Sequence, residues 1–190
     1  MSDLTIDASS TALVMIDLQH GIVALPTTPY ASADIVARCA TLAQAFRAKG
    51  GTVVYVRVDI GDMQHHVTDA QGHDPDAPKP PAIASEIVPE SGFQAGDLLI
   101  TKRQWGAFYD TGLDQQLRRR GIKTIVMAGI ATNVGVESTA RAAFDFGYDL
   151  VFAEDAMSSL GEGAHGFAVQ NIFPRMGRVR SAAVVAAALV

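Results

Sequence analysis

Two hydrophobic patterns alternate along this chain. Thr11–Ile16 is an unbroken apolar run of strand length, whereas across residues 33–49 the apolar positions 35, 39, 42 and 46 recur on one helical face. Gly50 and Gly51 follow and suit the left-handed turn that closes a helix. The alternation continues, predicting strands at residues 52–58, 97–101, 123–129, 149–153 and 178–181, and helices at 111–120, 135–147 and 163–173. Strands that read as continuous apolar runs, separated by helices, predict a parallel sheet covered on both faces. The expected fold class is therefore α/β, a three-layer α/β/α sandwich around an open, mainly parallel sheet of about six strands.

Residues 59–96 break the pattern. They carry most of the prolines and little periodicity, which inside a compact domain points to a functional loop or lid, with a short helix expected around 81–87. With 190 residues, and no repeat or linker, one domain over 1–190 is expected. The chain is 48% hydrophobic and 18% charged, the balance of an ordinary globular protein. A net charge of -5 argues against a nucleic-acid partner, which calls for a basic face. No secretory signal pattern or membrane-length apolar run is seen, so a cytoplasmic protein with no membrane partner is expected. The one cysteine, Cys39, excludes an internal disulfide and a multi-cysteine zinc site. Its place on the apolar helix face predicts a core thiol rather than a nucleophile.

In open parallel sheets ligands bind outside the carboxyl ends of the strands. The first strand runs into Asp17, the 97–101 strand into Lys102, and the 123–129 strand into the turn Gly129-Ile130-Ala131-Thr132-Asn133-Val134-Gly135. One sheet edge is thus expected to gather a carboxyl, an ammonium and a helix N-terminus able to stabilise negative charge. The turn has the form of an elbow that presents a nucleophile, yet Gly135 at its apex has no side chain.

These residues resemble the isochorismatase-like hydrolase superfamily, which includes isochorismatases, nicotinamidases and cysteine amidases. The resemblance spans nearly the whole chain: Met15-Ile16-Asp17-Leu18-Gln19, then Lys102 with Trp105-Gly106-Ala107-Phe108-Tyr109-Asp110-Thr111-Gly112-Leu113, then the elbow. It implies a catalytic set of Asp17, Lys102 and a nucleophile position occupied by Gly135, and a cis peptide at Ala131-Thr132. Substrate-binding roles are expected for Gln19, Arg103, Ala131, Thr132 and Asn133, and for Trp105 and Phe108, whose rings suit an aromatic pocket as well as a core or interface anchor. A glycine at the apex removes the covalent route of the amidases. The route of isochorismatases proper, in which the aspartate protonates the substrate and water adds, needs no nucleophile. The reading is a non-covalent hydrolase of a small metabolite, with Asp17 as general acid and Lys102 as electrostatic stabiliser. A catalytically inactive member that binds a metabolite or a protein partner is the alternative.

Isochorismate carries two carboxylates, for which Arg103 and Arg57 are the available guanidinium partners. Asp59, His65 and His66 follow the second strand where family nicotinamidases keep metal ligands, but their spacing favours solvated loop residues, so no metal and no cofactor is expected. Glu137 and Arg141 read as a surface i,i+4 ion pair. Arg175, Arg178 and Arg180, and the apolar residues 182–190, suggest a contact between subunits, and a homo-oligomer is expected.

Overall fold

A computed structural model describes residues 4–63, 66–69 and 78–190. Its sheet has six strands, all parallel, in the order β3-β2-β1-β4-β5-β6. They are β1 (Thr11–Ile16), β2 (Thr52–Val58), β3 (Leu98–Lys102), β4 (Thr124–Ile130), β5 (Asp149–Ser158) and β6 (Gly177–Arg180). All six residues of β1 are buried, which is why that strand reads as an unbroken apolar run. The strand order reverses direction at the β1/β4 pair, so the crevice for a ligand opens where those two strands end.

Helices cover both faces. On one side α2 (Ser32–Ala48), which follows the single turn α1 (His20–Val23), buries Ile35, Cys39, Leu42 and Phe46 against Leu13, Met15 and Val126. The Gly50 φ of 73° and the tight seat of Gly51 against the Phe46 ring explain the glycine pair that closes α2. On the other side α3 (Leu113–Arg119), α4 (Glu137–Asp145) and the segment from α5 (Ala164–Phe167) to Ile172 enclose Val14, Met127 and Phe152. The last helix, α6 (Ala182–Ala187), lies beside α2 and buries Ala182 and Val185 in the first core.

Two expectations change. Residues 81–87 form a 3-10 turn at Ala82–Ser85 rather than a longer helix. The strand predicted to stop at 153 continues to Ser158, through a register irregularity against Met127 and Gly129 of β4. Within the apolar C-terminus Leu189 is buried and Ile6 pairs with it in an isolated bridge, while Val184 and Val190 stay exposed. No helix among the described residues is long and apolar enough to cross a membrane.

Candidate functional site

Asp17 follows β1 directly and takes a left-handed backbone, φ 54°, which aspartate tolerates better than most side chains. Its amide donates to the Val56 carbonyl at 2.8 Å, so the carboxyl is aimed by the sheet itself. Lys102 ends β3, and its ammonium reaches across the end of β2 to Asp17 Oδ2 at 2.8 Å. The lysine also donates to the Trp105 carbonyl at 2.7 Å. Both side chains are buried, and Asp17 Oδ1 has no hydrogen-bond partner among the described residues. Burial pushes the Asp17 carboxyl up to about 6, against the opposing pull of Lys102.

The elbow closes the third side. Its first helical turn is a π turn, Thr132–Val136, so helical geometry starts before Gly135 rather than at it. The amides of Val134 and Val136 both donate to the Ala131 carbonyl at 3.1 Å, which leaves them turned inward rather than toward a ligand. The non-proline cis bond lies at Ile130-Ala131, one residue before the expected Ala131-Thr132. A Cβ added at Gly135 would stand 2.9 Å from Ile16 Cγ2, 3.1 Å from Lys102 Nζ and 3.2 Å from Asp17 Oδ2. No room is left there for a side chain without displacement. Thr139 fixes this approach: its hydroxyl donates to the Gly135 carbonyl at 2.7 Å and accepts from the Ala107 amide at 3.1 Å, tying the elbow to the loop after β3.

A cavity of about 120 Å³ opens on Asp17, Lys102 and Gly135. Ile22, Val58, Met63, Gln104, Trp105, Ile130, Ala131, Val134 and Leu160 complete its walls. Trp105 is 58% exposed at this cavity, and Ala131 contributes to its floor. Other expected contacts lie elsewhere. Gln19 is fully buried and spends its amide on backbone, donating to the Val58 and Ala84 carbonyls at 2.9 and 3.0 Å and accepting from the Val58 amide at 2.7 Å. Phe108 belongs to the core, against Phe146 and Tyr148. Thr132 bonds His165, and Asn133 bonds the Ser159 hydroxyl. Arg103 is exposed and paired with Asp62, while Arg57 bonds Thr101 and lines a different cavity with Asp59.

His65 lies outside the described residues, and among the described residues no group of three or more potential metal ligands comes together. Cys39 is buried in the core beneath α2, with its thiol pushed up to about 12 by burial. Glu137 and Arg141 form the i,i+4 pair at 2.8 Å. A linked set was not legible from spacing: Thr132, His165, Glu154 and Tyr30 join the elbow to β5 and to the loop before α2. Because Glu154 as a carboxylate only accepts, it fixes the proton of a neutral His165 on Nε2, and Nδ1 then accepts from Thr132.

Comparison with known proteins agrees with this architecture. The chain is 48% identical to an uncharacterised isochorismatase family protein of Bacillus subtilis, YwoC, over 95% of each chain. It is 33% identical to a ureidoacrylate amidohydrolase of Rhizobium rhizogenes, RutB, over 83% of this chain and 74% of that one. A solved isochorismatase family protein from Burkholderia thailandensis has a TM-score of 0.89 at 45% identity, with 98% of each chain covered. The isochorismatase domain matches residues 11–184, and the chain therefore belongs to the isochorismatase family.

Proposed function

We propose that this chain is a hydrolase of a small molecule, of isochorismatase type, that works without a covalent enzyme intermediate. Asp17 delivers a proton to the substrate, Lys102 stabilises the charge that develops or fixes the substrate, and water completes the reaction. The observation that carries this reading is the placement of Gly135 beside the Asp17–Lys102 pair: the position that would hold a family nucleophile has no side chain, and a Cβ there would press on Ile16, Lys102 and Asp17. Cys39 offers no substitute, because it is buried and its thiol is held neutral well above ordinary pH. A carboxyl raised to about 6 is a competent acid near neutrality, where an unperturbed aspartate would be almost wholly ionised.

The test is a panel of hydrolysis substrates run in parallel on wild type and Asp17→Asn. Loss of a general acid removes about 10²–10⁴-fold of rate, so turnover should fall by that order. Since the protonated carboxyl is the active form, wild-type turnover should decline as pH rises through about 6. Near-wild-type turnover by Asp17→Asn, or a rate that climbs over that pH range, removes the mechanism.

A further inference from the structure

The cavity over Asp17 is about 120 Å³, and its walls are mostly apolar, with Ile22, Val58, Val134 and Leu160 among them. Its two ionisable side chains, Lys102 and Asp17, are paired at 2.8 Å. An ammonium has three N–H donors, and here one serves Asp17 Oδ2 and another the Trp105 carbonyl. One donor is left for a ligand. Among the described residues no arginine lines the cavity: Arg57 faces a separate one, and Arg103 is ion-paired with Asp62.

We infer that the substrate is a compact, uncharged molecule with an apolar body and a carbonyl or ether oxygen that accepts the remaining Lys102 N–H. This rests on the cavity being the hydrolytic centre and specifies what it takes. An anion entering here loses its water against mostly apolar walls and finds a single free N–H on Lys102. A neutral oxygen gives up much less hydration and needs only that one donor. A dicarboxylate such as isochorismate calls for guanidinium partners that the described residues of the cavity walls do not supply.

Trp105, the one tryptophan of the chain, lines the cavity, so its fluorescence reports occupancy. The experiment titrates the full chain near pH 8, where Asp17 with a value of about 6 is ionised, with benzamide, benzoate and phthalate. These share one ring and carry no charge, one and two. Benzamide should give a saturable change in Trp105 emission, with benzoate at least about tenfold weaker and phthalate weaker again. Leu160 is exposed at the cavity, so Leu160→Arg adds a guanidinium without emptying the core and should bring benzoate to within about threefold of benzamide. Three results would overturn the inference: benzoate or phthalate binding wild type as tightly as benzamide, no saturable response to benzamide, or a Leu160→Arg chain that still refuses benzoate. None of them touches the hydrolytic reading, which depends on the turnover of Asp17→Asn.

Discussion

A carboxyl and an ammonium cost several kcal/mol each to take out of water, and their attraction returns this only where geometry is well held. In Asp17 and Lys102 the holding is done by backbone. The Asp17 amide, at a left-handed φ, donates a hydrogen bond to the Val56 carbonyl, and the Lys102 carbonyl accepts from the Asp59 amide at 2.9 Å, so each side chain leaves a fixed strand end. Gly135 adds the third constraint. Its φ lies outside the left-handed range, so a side chain there is opposed by crowding against Ile16, Lys102 and Asp17 and not by its own backbone. Gln19 is the less visible partner in this arrangement, because its buried amide joins the end of β2 to the turn Ala82–Ser85. Gln19→Leu keeps the volume but leaves the Val58 amide and carbonyl without these partners, at a cost of about 1–3 kcal/mol. Chemical denaturation should show this loss as a lower midpoint, with KM on any confirmed substrate little changed. A large KM increase at unchanged stability would instead make Gln19 a substrate contact.

At the scale of elements, what could be read in advance follows from where the signal resides. β1, β2 and β4 are buried on both faces, and a buried strand writes itself as a local apolar run. Asp17 and the elbow were legible for the same reason, since each directly follows such a strand, and Lys102 because it ends the apolar run of the edge strand β3. The far half of β5 was hidden because Glu154 and Asp155 interrupt the run. Their polarity is met only by distant groups: Glu154 by Tyr30 and His165, and Asp155 by the Ala182 amide. The His165 link was equally hidden, as 33 residues separate it from Thr132 and no spacing rule joins them. That link predicts local behaviour. His165→Ala leaves the buried Thr132 hydroxyl without its ring partner, at about 1–3 kcal/mol, and frees one anchor of the elbow. Amide exchange should accelerate in peptides spanning 130–137 while β2 and β3 keep wild-type protection. A uniform acceleration across the sheet would mean that His165 supports the fold at large and not the elbow.

For the whole molecule, the reversal of strand order between β1 and β4 is what makes a site at all. Connections leave that pair toward opposite sides, so the loops part above it and a crevice remains. The ends of the chain close the opposite problem, the exposed flank of the first core. Ser181 accepts from the Val184 amide to start α6, the helix lies beside α2, and Ile6 exchanges backbone bonds with Ala188 and Val190. Hydrophobicity alone could not tell a subunit contact from this packing, because both need an apolar stripe. Within the same few residues Leu189 is 5% exposed, whereas Val190 is 65% and Val184 44% exposed. Leu189→Ala should therefore destabilise the fold by about 2 kcal/mol or more, the lower end for a buried leucine near an edge. Val184→Ala and Val190→Ala should stay within about 0.5 kcal/mol, as surface changes do. Urea unfolding of the three variants, read together with sedimentation of each, decides the matter. If Leu189→Ala leaves the midpoint unchanged but lowers the oligomeric mass, the C-terminal stripe serves a partner and its packing against α2 is not what holds the chain ends together.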